Sequence, residues 1–204
     1  MQIINDFEQG SDEWKEFRRG KISGTRLGEV YSPRGGRKIG FYETIAERLS
    51  LAPDEEDRME RGLRLEAEAI ELFEQAMDKK VERPAVCVSD INPNIIQSPD
   101  GLIKKGRKYT EAVEIKCLSP ARHIQAVVEN EVPKEFESQM IQYFIVNEHL
   151  ESLYFVFYDP RIASVPLHII EVTRQELGDK IGKFQAFQLE QLREMDEIVE
   201  RLSF

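Results

Sequence analysis

Two short stretches of the chain carry acidic and basic side chains in a pattern suited to phosphodiester hydrolysis. The segment SPDG at positions 98–101 is followed, after a lysine-rich turn, by EAVEIKC at 111–117. The second segment alternates as a half-buried β-strand does, so Glu114 and Lys116 share one face while apolar residues occupy the other. A hairpin between the two stretches would place Asp100 beside Glu114. We therefore predict a cleft lined by this acidic pair and Lys116.

Two carboxylates held a few ångströms apart disfavour each other's ionisation. A divalent cation removes that conflict, and hard oxygen ligands select Mg²⁺ or Mn²⁺ over zinc. Asp100 followed by Glu114-x-Lys116 is thus the minimal set of residues for metal-assisted hydrolysis, in which the lysine would hold an attacking water or a phosphate oxygen. The alternative is a solvent-facing Glu–Lys pair on an edge strand with an unrelated turn aspartate.

A predicted helix over residues 56–78 supplies a third carboxylate. Its apolar stripe includes Ile70 and Phe73, and Glu66 falls inside that stripe. A carboxylate directed at a core is costly unless it is paired or bound to metal, so Glu66 is the natural third ligand. A salt bridge to an arginine, or a position at the edge of the stripe, would also explain it.

Length and composition predict one ordinary domain. The chain has 204 residues, 41% hydrophobic and 32% charged, with a net charge of −10. No apolar run is long enough for a membrane span, and no signal peptide is recognisable, so we expect a cytoplasmic protein without a membrane partner. Cys87 and Cys117 are predicted to be buried thiols in a reducing compartment. The acidic balance argues against broad nucleic-acid binding, although residues 15–38 hold eight basic against two acidic side chains.

The order of predicted elements indicates an α/β fold with a mixed central β-sheet flanked by α-helices. We divide a single domain, 1–204, into N-terminal helices (11–78), a catalytic sheet with its helices (83–172) and a C-terminal helix (173–204). Helices are predicted near 11–20, 25–31, 41–49, 56–78, 120–129 and 134–147, and strands at 83–90, 94–98, 111–117, 151–158 and 165–172. A capping box at 173–176 begins the last helix.

Several motifs in this order resemble the phage lambda exonuclease type of alkaline exonuclease, among the YqaJ-like recombinases of the PD-(D/E)xK nuclease superfamily. The resemblance covers about residues 8–172. It rests on the opening QGS-x2-W-x2-FR-x-GKIS at 9–23, Gly62-x3-Glu66, SPDG, Glu114-Ile115-Lys116, Gln142-Tyr143 and YDPR at 158–161.

The resemblance implies a restriction-endonuclease-like core and a Mg²⁺-dependent 5′→3′ exonuclease that acts processively on double-stranded DNA ends. It also implies a ring-shaped homotrimer and a single-strand annealing protein as partner. Two Mg²⁺ ions, replaceable by Mn²⁺, would be bound by Glu66, Asp100, Glu114 and the Ile115 carbonyl, with Lys116 completing the catalytic set. Carried over by position, the 5′-phosphate pocket is Arg18, Thr25, Ser98 and Gln142 (with Gln139 as the alternative to Gln142), and the DNA contacts are Arg34, Arg122 and Met59.

Two other functions stay open from the residues alone. An endonuclease of restriction or repair type would cut closed circular DNA, which an exonuclease leaves intact. A non-catalytic DNA-end-binding scaffold for recombination would bind DNA but no divalent cation. The intact Glu-x-Lys with Asp100 favours an enzyme over the scaffold.

Overall fold

The computed structural model describes residues 11–19, 37–51 and 58–202, with side chains except at 14, 17, 18, 58–63, 196, 198–200 and 202. The helices are α1 (Asp12–Arg18), α2 (Ile39–Arg48), α3 (Arg58–Met77), α4 (Pro120–Glu129), α5 (Glu137–Val146), α6 (Arg174–Leu177) and α7 (Asp179–Leu202). The strands are β1 (Cys87–Val88), β2 (Ile96–Gln97), β3 (Gly101–Lys105), β4 (Lys108–Lys116), β5 (Ser152–Tyr158) and β6 (Leu167–Thr173).

The central sheet has four strands in the order β3-β4-β5-β6. Strands β3 and β4 form an antiparallel hairpin, β4 pairs with β5 in parallel, and β6 returns antiparallel to β5. Strands β1 and β2 make a separate two-stranded sheet. The predicted α/β fold with a mixed sheet flanked by helices is confirmed. The hairpin between the two acidic stretches forms, but its first strand is β3, whereas the strand predicted at 94–98 shortens to β2 and pairs with β1.

Helices cover both faces of the sheet. On one face α3 packs through Leu65 and Phe73 against Val113 of β4. On the other face α5 and α7 pack over Ala112 and Phe155. Strand β4 is therefore buried on both sides, as a strand in parallel pairing usually is. The one-sided strand with an open polar face, which the alternation predicted, is wrong, because α5 covers the Glu114 side.

Several element boundaries differ from the prediction. The helix expected over 134–147 begins as a 3-10 turn at Lys134–Phe136 before α5. The helix expected over 173–204 is two helices: the predicted capping box between Thr173 and Glu176 starts α6, which ends at Gly178 with φ of 47°. Strand 83–90 shortens to β1, since Pro84 offers no backbone donor. The helix expected at 25–31 lies outside the described residues.

Two smaller expectations concern the membrane and the cysteines. Within the described ranges, none of the helices is both long and apolar enough to cross a membrane. Neither Cys87 nor Cys117 forms a disulfide in the part of the chain that is described, and each is half-buried where the sequence predicted full burial.

Candidate active site

The β3–β4 hairpin brings Asp100 and Glu114 together. Gly101 pairs with Val113 in the antiparallel register, so Asp100, one residue earlier, lies opposite Glu114. Asp100 Oδ2 accepts a hydrogen bond of 2.6 Å from the Ile115 amide. A Cβ at Gly101 would come within 2.2 Å of Val81 Cγ1, so this position of the SPDG segment has room only for glycine.

The Asp100 carboxyl lies in an acidic and poorly solvated environment. Burial and the charge of Glu114 raise its pKa from 3.8 to about 7, and the charge of Glu66 adds to the increase. The hydrogen bond from Ile115 and the charge of Lys116 oppose that shift without cancelling it. The carboxylates are thus close enough to repel each other, and a bound cation would offset that repulsion.

The buried Glu114 carboxylate is held by three side-chain donors. Its Oε2 accepts a hydrogen bond of 2.5 Å from the Tyr143 hydroxyl. Its Oε1 accepts hydrogen bonds from Lys116 Nζ at 2.5 Å and from Gln139 Nε2 at 2.6 Å. Burial and the charge of Glu114 raise the pKa of Tyr143 well above its ordinary value, so its hydroxyl remains a donor. Glu114 consequently has one defined orientation.

Lys116 is similarly constrained. Its Nζ also donates to Gln139 Oε1 at 3.0 Å and lies 4.7 Å from the centre of the Phe136 ring. The Glu114 carboxylate, the glutamine oxygen and the aromatic face all stabilise a cation. The ammonium group therefore has a defined position beside the acidic pair, where a phosphate oxygen could meet it.

Glu66 lies at the edge of this cluster. Its half-buried side chain forms an ion pair with Arg83, which is one of the two alternatives that the sequence left open. Among the described residues, no three His, Cys, Asp or Glu side chains converge as a set of metal ligands. Asp100 and Glu114 fit a divalent cation by their oxygen donors and by the raised Asp100 pKa. Glu66 would have to exchange Arg83 for the metal.

Comparison with protein families identifies the family of the chain. The model of the YqaJ-like viral recombinase domain matches residues 13–149, more than half of the chain. The chain belongs to the YqaJ-like viral recombinase family. The resemblance inferred from the motifs is thereby confirmed. YqaJ domains are a nuclease family whose members generally use divalent metal ions.

Solved structures agree with the YqaJ-like fold. An alkaline exonuclease of Laribacter hongkongensis, LHK-Exo, superposes with a TM-score of 0.62 at 23% identity, covering 95% of this chain and 98% of that one. LHK-Exo in complex with dAMP superposes with a TM-score of 0.61 at the same identity and coverage. At this identity the likeness establishes the fold. A comparison with curated proteins finds no match.

The two glutamines of α5 lie in different places in the YqaJ-like domain. Gln139 contacts Glu114 and Lys116, as described above. Gln142 donates to the Ile96 carbonyl at 3.1 Å and accepts from Gln188 at 3.2 Å. The geometry therefore favours Gln139, the alternative, as the glutamine nearest the acidic pair.

The remaining predicted site residues lie around or beyond this centre. Ser98 is exposed two residues before Asp100. Arg122 contacts Gln125 at 2.9 Å and Glu135 at 3.5 Å, so its guanidinium is engaged on the surface between α4 and the 3-10 turn. Thr25 and Arg34 lie outside the described residues, as do the side chains of Arg18 and Met59.

Sequence reasoning assigned no role to Phe136 and used Tyr143 only to align a motif. The missed signal is the spacing from Gln139 to Tyr143. Residues four apart share one face of a helix, so both side chains of α5 can reach the same carboxylate. Glutamine and tyrosine side chains do not titrate near neutral pH, so a search for acids and bases does not select them.

Proposed function

We propose that this YqaJ-like domain is a Mg²⁺-dependent exonuclease that processively degrades one strand of double-stranded DNA in the 5′→3′ direction. It would start at 5′-phosphorylated ends, release 5′-mononucleotides and leave 3′ overhangs for recombination by single-strand annealing. The observation that carries the proposal is the half-buried Asp100 beside the buried Glu114, with Lys116 hydrogen-bonded to that glutamate. Family membership and the likeness to an alkaline exonuclease support it.

Asp100 and Glu114 would hold the metal, with the Ile115 carbonyl and Glu66 completing the ligands for two Mg²⁺ ions. When bound, Mg²⁺ polarises the scissile phosphate and stabilises the charge that develops on the departing oxygen. Burial and the charge of Glu114 raise the pKa of Asp100, so a cation beside it would favour its carboxylate form. Glu66 would join after leaving Arg83, an exchange between two cations that keeps the carboxylate paired throughout.

The residues around Glu114 would position the reaction. Lys116, fixed by Glu114, Gln139 and the Phe136 ring, presents its charge where an attacking water or a phosphate oxygen can be oriented. Tyr143 keeps the other glutamate oxygen in place. A preformed arrangement of this kind lowers the reorganisation needed at the transition state.

DNA recognition extends the proposal beyond the carboxylates. Arg18, Thr25, Ser98 and Gln142, or Gln139 in place of Gln142, would bind the terminal 5′-phosphate. Arg34 and Arg122 would contact the DNA backbone, and Met59 would help to separate the terminal base pairs. A homotrimeric ring around the duplex would make the reaction processive, and a single-strand annealing protein would receive the 3′ overhang.

The decisive experiment follows digestion of linear duplexes labelled at either end. With Mg²⁺, a 5′-phosphorylated duplex should lose 5′-mononucleotides while a closed circular duplex stays intact. Absence of degradation, equal attack from 3′ ends or cutting of the circle would contradict the proposal. Light scattering of the same sample tests the trimer.

A second variant tests the phosphate pocket separately. Arg18→Ala should abolish the preference for 5′-phosphate over 5′-hydroxyl ends, because a planar guanidinium grips phosphate oxygens bidentately. Arg19→Ala, at the residue that follows the end of the same helix, is the control that should keep the preference. A preserved preference in the Arg18 variant would remove this residue from the pocket.

A further inference from the structure

The turn that joins β3 to β4 is strongly basic and is not used by the proposed chemistry. Lys105, Arg107 and Lys108 are all exposed there around Gly106, whose φ of 67° allows the tight reversal. None of the three cations has a carboxylate partner in the part of the chain that is described. Their neighbour Lys104, in contrast, contacts Glu82 at 3.6 Å and the Tyr109 ring at 4.8 Å. Unpaired clustered cations in a chain of net charge −10 indicate a site for an external polyanion.

A cleft of about 300 Å³ adjoins this basic turn. Arg107 and Lys108 line it together with Pro99, which precedes Asp100, and Tyr143, whose hydroxyl donates to Glu114. Apolar side chains line much of its wall. The other lining residues are Cys87, Val88, Asp90, Gln97, Leu102, Tyr109, Val146, Asn147, Glu148, His149 and Leu150.

The charges along the cleft are unevenly distributed. Its two acids, Asp90 and Glu148, come from β1's flank and from the end of α5, and Glu148 lies 3.6 Å from His149. Arg107 and Lys108 have no oppositely charged neighbour within the described ranges. An anionic group would therefore be stabilised at the turn end of the cleft, and flatter apolar groups could contact its wall.

The length of the hairpin sets the size of the ligand. Asp100 precedes Lys105 by five residues, which corresponds to roughly 17 Å along an extended strand. A single strand whose bases stay stacked as in B-form DNA rises about 3.4 Å per nucleotide and covers this distance in about five nucleotides. A strand held at the acidic pair would thus place later phosphates at the basic turn.

We infer that the β3–β4 turn and the adjoining cleft form an accessory subsite for single-stranded nucleic acid, with Lys105, Arg107 and Lys108 contacting its phosphates. The inference deepens the proposed function and rests on it for the identity of the polymer. Nucleic acid fits better than an acidic peptide, because the cleft is lined both by the turn cations and by Pro99 and Tyr143, the neighbours of the two carboxylates proposed to act on a phosphodiester. Regular phosphates with planar bases match a basic end followed by an apolar wall.

The test compares two variants that lose the same charge. K105Q/R107Q/K108Q removes the turn cations, and K183Q/R193Q/R201Q removes three equally exposed cations from α7. Binding of labelled single-stranded oligonucleotides is measured by fluorescence anisotropy in EDTA, so that nothing is hydrolysed. The turn variant should lose at least roughly tenfold in affinity, and the slope of log Kd against log salt should fall by about 2. The α7 variant should bind like the unmodified chain, and equal losses in both variants would overturn the inference.

A series of oligonucleotides of increasing length tests the distance between the acidic pair and the basic turn. For the unmodified chain, affinity should step upward once the oligonucleotide exceeds about five nucleotides, because one strand then reaches both positions. The turn variant should lack the step, and a step that survives in it overturns the subsite. Poly-glutamate is the second probe: binding as tight as DNA, with the same loss in the turn variant, would overturn the assignment to nucleic acid.

Failure of this inference and failure of the proposed function give different results. If the unmodified chain degrades duplex ends while the turn variant binds DNA unchanged, only the subsite is wrong. If the unmodified chain degrades no DNA while the turn variant loses affinity, the subsite stands and the exonuclease proposal falls.

Discussion

Strand β4 carries two glutamates three residues apart, and each forms an ion pair with a lysine. The two pairs have the same N–O distance but different surroundings. Glu111 accepts from Lys79 of the α3–β1 connection at 2.5 Å, and Glu114 accepts from Lys116 at the same distance. Because the two glutamates are an odd number of residues apart, they point to opposite faces of the sheet. Only the Glu114 pair has a second carboxylate opposite it across the hairpin.

The surroundings of the two pairs explain the difference in their expected roles. Near Glu111, Lys79 also lies 5.3 Å from the Tyr154 ring centre, and both charges keep about a fifth of their side chains exposed. Glu114 is 4% exposed and has Tyr143 and Gln139 as further donors, with Asp100 beside it. A Glu–Lys pair alone is thus a structural contact, and the half-buried neighbouring Asp100 is what indicates a site for a cation.

The largest expected effect is on the rate of DNA degradation, which should depend on Lys116 but not on Lys79. Lys116→Ala should reduce the rate of DNA degradation by roughly 10³-fold, because it removes the charge that orients the reacting groups. Lys79→Ala, which breaks the other pair, should stay within about twofold of the unmodified rate. The measurement is the initial rate of nucleotide release from a 5′-phosphorylated duplex with Mg²⁺. Equal losses in the two variants would contradict the comparison.

The next effect concerns the free energy of unfolding. The folded-state pKa of Asp100, about 7, lies above its ordinary value of 3.8, so between these values the folded chain holds a proton that the unfolded chain has lost. Stability from this group is therefore greatest at low pH and falls as pH rises towards 7. Asp100→Asn should stabilise the metal-free protein by a few kcal/mol at pH 8 and by little near pH 4.

Urea denaturation at both pH values, in EDTA, measures this difference. Glu111→Gln is the matched control, because it neutralises an acid of the same strand that already has a lysine partner. That variant should not gain stability at pH 8. A gain in the control equal to that of the Asp100 variant would show that net charge alone is responsible.

The affinity for a divalent metal should depend on the protonation of the same Asp100 carboxyl. Below pH 7 a cation must displace the proton from Asp100, so its affinity should fall up to about tenfold per pH unit and level off above pH 7. Calorimetric titration of Mg²⁺ or Mn²⁺ at pH 6 and pH 8, in buffers of different ionisation enthalpy, counts the released protons. The Glu111→Gln variant should behave identically, and pH-independent affinity would rule out Asp100 as a ligand.

The smallest effect tests the donors around Glu114. Tyr143→Phe removes one hydrogen bond to a buried carboxylate and should lower the free energy of unfolding by about 1–3 kcal/mol. It should also lower the degradation rate with little change in KM, because Glu114 loses its orientation. Phe144→Tyr, which adds a hydroxyl one residue later without touching Glu114, is no substitute for the lost donor; the double variant should therefore not recover activity.

The hairpin shows how much of the site the sequence could predict. Alternation over 111–117 and a turn rich in small and basic residues are local signals, and both were sufficient to place Asp100 beside Glu114. The helix α3 and the capping box at Thr173 were predictable for the same reason. The break at Gly178 was not, since helical periodicity on either side of a single glycine continues in register.

Contacts between distant segments were harder to predict. Gln139 and Gln142 lie on the same helix, and only the packing of α5 over the sheet brings Gln139 to Glu114. The ion pair between Glu66 and Arg83 was open as an alternative, but its arginine could not be named. The basic turn was visible in the sequence, and its relation to the cleft was not.

By itself the sequence determined the family, the turn that brings Asp100 beside Glu114 and the residue types at the acidic centre, because short motifs and a tight turn depend on residues close in the chain. Only the tertiary structure decided that Glu114 is enclosed by α5, that three donors orient it and that Asp100 has a raised pKa. Desolvation depends on which helices cover a strand, and that depends on contacts between residues far apart in the chain.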